Sequence, residues 1–90
     1  MLSILIPARN EEKRVGKTLK AYGEFFSKIN EKNEIIIVVN NSTDKTLEIV
    51  KKYAEVYKNI KYMDINPPGK GFALIEGFKS CNGDYIGFVD

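Results

Sequence analysis

Residues 35–39 read Ile-Ile-Ile-Val-Val, and this run decides the fold. All five residues are β-branched, and no polar residue alternates among them. A strand that is apolar on both faces is typical of a parallel sheet covered by helices on both sides, whereas a half-exposed strand would alternate. Residues 35–39 therefore predict a central strand of a parallel α/β sheet.

Shorter apolar segments on either side predict three further strands. They are residues 2–6, residues 60–65 and residues 85–89. Proline has no N–H to donate to a neighbouring strand, so Pro7 marks the end of the first of them. Residues 67–69, Pro-Pro-Gly, break the chain after the third strand.

Three stretches with helical spacing separate these strands. In each stretch apolar residues recur every three or four positions, as one buried helix face requires. The three sets are Val15, Leu19, Tyr22, Phe26 and Ile29; Leu47, Val50, Ala54 and Tyr57; and Gly71, Leu74, Ile75 and Phe78, with the last helix ending near Asn82-Gly83.

Polar residues at the start of the first two helices predict helix caps. We expect Asn10 to cap the first helix, with Glu11 and Glu12 in its first turn, where acids stabilise the positive end of the helix dipole. We expect Ser42 or Thr43 to cap the second helix.

Strand and helix thus alternate along the chain. Right-handed crossovers then give an α/β fold: a Rossmann-like parallel sheet of about four strands, in the expected order 3-2-1-4, with helices on both faces. Ligands of such sheets bind beyond the carboxyl ends of the strands, near the point where strand order reverses. These ends are residues 7–11, 40–44 and 65–71, and Asp90.

Composition excludes several classes of function. The net charge of the 90 residues is only +2 and the charges alternate in sign, which argues against a nucleic acid partner. The single cysteine, Cys81, excludes an internal disulfide and fits a reducing compartment, so we expect a cytoplasmic protein or one at the cytoplasmic face of a membrane. The absence of histidine removes Ser-His-Asp and Cys-His nucleophilic catalysis, and any metal site must use oxygen ligands.

Common phosphate-binding motifs are also absent. Residues 7–12 contain no glycine, so they form neither a dinucleotide fingerprint nor the phosphate loop of a nucleotidyltransferase. Residues 69–71 fail as a P-loop, because the earlier glycine is missing and Gly71 stands where Ser or Thr would coordinate magnesium. A receiver-type signalling domain, which needs an acidic pair and a phosphoacceptor aspartate at the ends of its strands, is a weaker alternative.

Four segments, taken together and in order, resemble family 2 glycosyltransferases of the GT-A fold. They are ILIPARNEE at residues 4–12, IIIVVNNSTDKT at residues 35–46, PPGKGFALIEG at residues 67–77 and GDYIGFVD at residues 83–90. The resemblance implies that residues 1–90 are the nucleotide-sugar-binding half-domain, truncated at the first aspartate of an Asp-x-Asp motif. It also implies that acceptor contacts and the catalytic base lie in a later region, so no catalytic residue is assigned here.

The resemblance assigns roles to the ends of the first two strands. Pro7, Ala8 and Glu11 match a loop that lies against the base and ribose of the donor, although Glu11 is also interpretable as a first-turn acid. Arg9 either approaches the diphosphate or is solvated. Asn40 stands where the family has the first aspartate of an Asp-Asp-Gly-Ser turn, and it either contacts the base or belongs to an ordinary turn.

The resemblance assigns two further residues to the diphosphate and a metal ion. Lys70 matches the basic residue of a glycine-bracketed loop, where it either binds the diphosphate or is solvated. Asp90 matches the first aspartate of Asp-x-Asp, which binds ribose and Mg²⁺ or Mn²⁺, and the second aspartate would follow two positions later. Asp84 belongs to a turn, because Asn82-Gly83-Asp84 is typical of one.

The expected parent protein transfers a sugar, with inversion, from a nucleoside-diphosphate sugar to an acceptor that is either free or membrane-associated. We expect this chain alone to be inactive. The alternative interpretation is a non-catalytic α/β fragment that binds nucleotide or self-associates. A homodimer through the exposed edge of the fourth strand is then expected.

Overall fold

The structure is a computed structural model that describes residues 1–66 and 69–89, with Lys70 described by its backbone alone. Strands and helices alternate along these residues, as the sequence predicts. In chain order they are β1 (Leu2–Ala8), α1 (Val15–Ser27), β2 (Asn33–Asn40), α2 (Thr46–Val56), β3 (Ile60–Ile65), α3 (Lys70–Ser80) and β4 (Tyr85–Phe88).

The strands form one parallel sheet in the order β3-β2-β1-β4, which confirms the predicted order. Ala8 at the end of β1 lies opposite Val39 of β2, and Asn40 lies opposite Ile65 of β3. All the carboxyl ends therefore lie at the same edge of the sheet, where strand order reverses between β1 and β4.

Strand β2 is buried from Glu34 to Asn40, as the run at residues 35–39 predicts. One face of the sheet packs against α1 and α2, where Leu19 and Val50 are fully buried. The other face packs against α3 through a smaller cluster that includes Leu5. Each fully buried aliphatic side chain contributes about 2 kcal/mol relative to an exposed one, so β2 anchors both layers.

The face of α3 that packs on the sheet differs from the predicted one. Ala73 and Gly77 lie against the sheet, and a Cβ added at Gly77 would come within 2.7 Å of the Leu5 side chain. The helix lies so close that small residues occupy the contact, while larger apolar residues face solvent. The predicted face was Gly71, Leu74, Ile75 and Phe78. Of these, Leu74 packs against the buried cluster, but Ile75 is 57% exposed and Phe78 is 43% exposed.

The predicted caps of α1 and α2 are also wrong. Helix α1 begins at Val15 after a turn at residues 12–14, and its first turn contains no acidic residue. Neither helix has a side-chain hydrogen bond at its cap position, which is Arg14 in α1 and Lys45 in α2. The polar side chains expected to cap each helix instead bond between the two segments that precede the helices, as described below.

No helix within the described residues is both long enough and apolar enough to cross a membrane.

Candidate functional site

Two segments leave the sheet side by side at the carboxyl ends of β1 and β2. We call residues 9–14 the β1 loop and residues 41–45 the β2 loop. Because Ala8 lies opposite Val39, the two loops start from neighbouring strands. Glu11 and Asn40, about thirty residues apart in the sequence, are therefore brought to the same region, as the parallel topology predicts.

Side chains from residues 42–46 accept hydrogen bonds from three successive backbone N–H groups of the β1 loop. The bonds run from Asn10 to the Ser42 hydroxyl (3.0 Å), from Glu11 to the Thr46 hydroxyl (2.8 Å) and from Glu12 to the Asp44 carboxylate (3.3 Å). These three N–H groups are thus bonded to side chains of the next segment rather than to a capping side chain at Asn10. The β1 loop is instead fixed against the beginning of α2.

Asp44 and Thr46 form the centre of this connection. Thr46 is fully buried, and both its hydroxyl (2.6 Å) and its backbone N–H (2.9 Å) donate to Oδ1 of Asp44. The hydrogen bond from the Thr46 hydroxyl lowers the pKa of Asp44, and backbone N–H donors add to this effect against the opposing effect of burial. Asp44 thus satisfies the first N–H of α2, the role expected of Ser42 or Thr43. The Asp-x-Thr spacing is the sequence signal that could have identified it.

Asn10 adds a reciprocal link from the β1 loop to the β2 loop. Its Oδ1 accepts from the Thr43 backbone N–H at 2.9 Å and from the Thr43 hydroxyl at 3.4 Å. Asn10 has a φ of 51°, and so does Asn41 in the other loop. Asparagine tolerates this left-handed conformation better than most non-glycine residues, so each loop turns at a residue suited to it.

Glu11 lies in the β1 loop rather than in the first turn of α1. Its carbonyl oxygen accepts from the N–H groups of Arg14 (2.9 Å) and Val15 (2.8 Å), which leads the chain into the helix. Its carboxylate accepts from Nε of Arg14 at 2.8 Å and forms an ion pair with the same guanidinium. The Glu11 side chain is 31% exposed, so it is held by Arg14 yet reachable from solvent. A ribose contact by Glu11 stays a prediction.

Asn40 ends β2 with its side chain directed to the neighbouring strand. The residue is 7% exposed, and its Nδ2 donates to the Ile65 carbonyl oxygen at 3.3 Å. The N–H of Asn41 donates to the same oxygen at 2.8 Å. Asn40 therefore has a defined orientation at the end of the sheet, and its contact with a base stays a prediction.

A cleft of about 460 Å³ lies between the end of β1 and α1, within the size range of small-molecule sites. Pro7, Ala8 and Glu11 line it, and Arg14 and Lys17 add two cationic side chains. A second cleft of about 530 Å³ is lined by residues 26–33 and 56–59 at the opposite edge of the sheet, and it contains none of the predicted site residues.

The remaining predicted residues are placed only in part. Arg9 is exposed directly after β1. Lys70 is the first residue of α3, but its side chain and the whole of Asp90 lie outside the described residues. Among the residues that are described, no group of three or more His, Cys, Asp or Glu side chains is arranged to hold a metal ion. The metal prediction therefore rests on Asp90.

Sequence reasoning missed a buried carboxylate at the amino-terminal edge of the sheet. Glu34 is 1% exposed, and its oxygens accept from the Ser3 hydroxyl (2.6 Å), the Asn82 backbone N–H (2.6 Å) and Nζ of Lys61 (3.0 Å). Burial alone would raise the pKa of Glu34. The hydrogen bonds from Asn82, Ser3 and Lys61 outweigh burial and lower that pKa to about 2.

Comparison with known proteins adds to this geometry. The sequence profile described as Glycosyl transferase family 2 matches residues 3–90. The Bacillus subtilis (strain 168) protein named "Probable glycosyltransferase YdaM" is 42% identical over 99% of this chain, which spans 22% of that protein.

Two solved structures share the fold. S. aureus TarS 1–349 in complex with UDP superposes with a TM-score of 0.81 at 29% identity, over 99% of this chain and 26% of that chain. Pyrobaculum calidifontis PcManGT in complex with GDP-Man and Mn²⁺ superposes with a TM-score of 0.79 over 94% of this chain and 25% of that one, and its 22% identity supports the fold alone. With its parallel sheet in the order 3-2-1-4, the chain belongs to glycosyl transferase family 2 and has the GT-A fold.

Proposed function

We propose that this chain binds the nucleoside diphosphate of a sugar donor at the carboxyl ends of β1 and β2. The observation that supports this proposal most directly is the cleft beside β1, which is lined by the motif residues Pro7, Ala8 and Glu11 together with the cationic Arg14 and Lys17. A nucleoside diphosphate needs an apolar surface, hydroxyl acceptors and positive charge, and this cleft offers all three. TarS, 29% identical, was solved with UDP, which supports the proposal.

Each residue has a distinct proposed contact with the nucleoside. Pro7 and Ala8 provide the apolar surface, and the Glu11 carboxylate accepts hydrogen bonds from ribose hydroxyls. Asn40 contacts the base with its side-chain amide, which both donates and accepts, so it does not impose the preference that a carboxylate would.

The diphosphate and metal contacts are proposed for three further residues. Arg9 and Lys70 neutralise phosphate charge, the latter from the amino terminus of α3, where backbone N–H groups favour anions. We infer that Asp90, with a second carboxylate outside this chain, holds Mg²⁺ or Mn²⁺. When bound, the ion would neutralise charge on the leaving diphosphate. PcManGT was solved with Mn²⁺, which is consistent with this inference.

The whole protein is proposed to transfer the sugar to an acceptor with inversion of configuration. This chain spans only 22% of YdaM and 26% of the TarS 1–349 chain, and an inverting transfer also needs a base that activates the acceptor hydroxyl. We therefore expect no donor consumption by this chain alone. Measurable sugar transfer by the 90-residue chain would contradict that expectation. We also propose a cytoplasmic site of action, which the free thiol of Cys81 fits.

Titration of the isotope-labelled chain with UDP and GDP, followed by backbone amide shifts, tests the binding site. We expect the changes to concentrate in residues 7–12 and 40–46. Uridine serves as a control that lacks the diphosphate, and it should bind more weakly at the same residues. Changes confined to residues 26–33 and 56–59, which line the opposite cleft, would overturn the assignment.

A second candidate function, self-association, is favoured by the outer surface of α3 and β4. The rings of Phe78 and Phe88 stack with centroids 6.4 Å apart, yet both residues are more than 40% exposed. Ile86 in β4 is 42% exposed, and within the described residues β4 pairs with a strand on one side only. Unpaired strand edges with apolar side chains favour pairing with another chain. We propose that a second copy pairs along β4.

Light scattering over a range of concentrations tests this pairing. The wild-type chain should give the mass of a dimer, and Ile86→Lys should shift it to a monomer. Lys52→Ala, on the exposed surface of α2, is the control and should leave the mass unchanged. A strictly monomeric wild-type chain at high concentration would contradict pairing through β4.

A further inference from the structure

Three successive backbone N–H groups of the β1 loop donate hydrogen bonds to side chains near the start of α2. The family resemblance assigned no role to two of the acceptors, Asp44 and Thr46. We propose that Asp44 and Thr46 are positioning residues, which set the distance between Glu11 and Asn40 for a nucleoside. This inference rests on the proposed nucleotide site and deepens it. The two residues contact no ligand themselves; they act through the backbone of the β1 loop.

The position of Thr46 carries the argument. Its hydroxyl accepts from the Glu11 N–H at 2.8 Å and donates to Asp44 at 2.6 Å, so both of its hydrogen-bonding roles are occupied. Thr46 is 0% exposed, and its hydrogen bond with the Glu11 N–H is partly buried. An N–H that is shielded from water and loses its acceptor destabilises the conformation that shields it. The Glu11 backbone is therefore held at a fixed place relative to α2.

Asp44 extends the same restraint by one residue. Its Oδ2 accepts from the Glu12 N–H at 3.3 Å, while its Oδ1 accepts twice from Thr46. The carboxylate is thereby oriented by the helix that it begins, and it transmits that orientation to the β1 loop. The N–H groups of Glu11 and Glu12 are thus both held in place by side chains at the amino-terminal end of α2.

The two proposed nucleoside contacts depend on this restraint in different ways. Asn40 is fixed by the sheet, since it belongs to β2 and bonds to Ile65. Glu11 belongs to a loop, and its carboxylate is oriented by Arg14 within that same loop. Asn10 is linked to Ser42 and Thr43, but the Thr46 hydroxyl is the side-chain group that holds the Glu11 N–H itself. It therefore connects a contact that is fixed by the sheet with one that is carried by a loop.

The test compares two substitutions of one residue. Thr46→Val keeps the volume and removes the hydroxyl, whereas Thr46→Ser keeps the hydroxyl and removes a methyl group. We expect Thr46→Val to weaken UDP binding by about tenfold and Thr46→Ser by less than about twofold, a difference of the size expected for one lost hydrogen bond. Affinity is measured by amide-shift titration at a temperature where circular dichroism shows each variant fully folded.

Thr43→Val is the matched control, because Thr43 is exposed and its hydroxyl makes a single hydrogen bond within the described residues, at 3.4 Å to Oδ1 of Asn10. It should change affinity by less than about twofold. If Thr46→Val does not fold, Asp44→Ala at a partly exposed position takes its place, with an expected loss of about fivefold.

The outcomes separate the two claims. If the wild-type chain binds UDP and Thr46→Val binds it equally well while folded, positioning is overturned and the nucleotide site stands. If Thr46→Ser loses as much affinity as Thr46→Val, Thr46 acts through packing, which also overturns the inference. If the wild-type chain binds no nucleotide, the proposed function itself fails, and the positioning role fails with it.

Discussion

The two edges of the sheet use buried polar side chains in different ways. At the amino-terminal edge, Glu34 accepts from Ser3, Lys61 and Asn82, so its charge is satisfied within the protein. At the carboxyl-terminal edge, Thr46 and Asp44 satisfy backbone N–H groups and leave the Glu11 carboxylate partly exposed. A saturated carboxylate stabilises the fold, whereas a loop that is fixed through its backbone keeps side chains available for a ligand.

The largest expected effect, on the free energy of unfolding, comes from removing the buried carboxylate at the amino-terminal edge. Glu34→Ala leaves a hydroxyl, an ammonium group and a backbone N–H without their acceptor, so the free energy of unfolding should fall by about 3–4 kcal/mol. Urea denaturation of the variant measures this loss. Glu55→Ala, on the exposed surface of α2, is the control and should cost less than about 0.5 kcal/mol. If both variants lost the same free energy of unfolding, the Glu34 carboxylate would not stabilise the amino-terminal edge.

The same carboxylate predicts how stability depends on pH. The pKa of Glu34 is lowered from 4.5 to about 2 in the folded chain, so its contribution is fully present above pH 4.5 and is lost as the pH falls toward 2. The loss should reach roughly 3 kcal/mol, since one pKa unit corresponds to about 1.4 kcal/mol. Denaturation curves between pH 6 and pH 2 check it. In Glu34→Gln the unfolding free energy should depend much less on pH in this range. An unchanged dependence would mean that other carboxylates cause it.

The carboxyl-terminal edge should respond in ligand binding rather than in stability. Glu11→Gln removes the charge that we propose for the ribose contact, so UDP affinity should fall by about fivefold while unfolding free energy changes by less than about 1 kcal/mol. Calorimetric titration beside a denaturation curve measures both. Glu12→Gln, the same substitution at the exposed neighbouring residue, is the control and should bind UDP normally. If both variants bind alike, Glu11 does not contact the nucleotide.

The smallest expected effect concerns base preference. Asn40→Asp replaces a donor to the Ile65 carbonyl by a carboxylate, which should cost about 1 kcal/mol of stability. The ratio of UDP to GDP affinity should change by about threefold or more, since a carboxylate accepts where an amide also donates. Competition between the two nucleotides measures this ratio. An unchanged ratio would return Asn40 to a structural role at the end of β2.

The sheet was predictable from the sequence because its signal is local. The run at residues 35–39 requires burial on both faces whatever the rest of the chain does, and alternating helices then limit the topology. The face of α3 was not predictable from apolar spacing, because Ala73 and Gly77 pack by close approach rather than by bulk. Small residues at a helix–sheet contact leave the larger apolar residues to the outer surface.

The candidate site was predictable in location but not in its internal bonds. Asn10, Ser42 and Thr43 have the right chemistry for caps, yet their hydrogen bonds span more than thirty residues in the sequence. Glu34 was missed for the same reason, since its partners Ser3 and Asn82 are 31 and 48 residues away. Residue type indicates that a side chain will bond, and only the folded topology decides where.

The pairing of β1 with β4 has a consequence for how the chain folds during synthesis. β1 is made before its second neighbour, which begins at Tyr85, and Leu2 lies opposite that residue. Until β4 emerges, the edge of β1 that pairs with it stays open from Leu2 to Leu5. Contacts this distant in sequence form slowly, and an open apolar edge invites misfolding while they do. A nascent chain should therefore depend on chaperones most strongly just before its fourth strand leaves the ribosome.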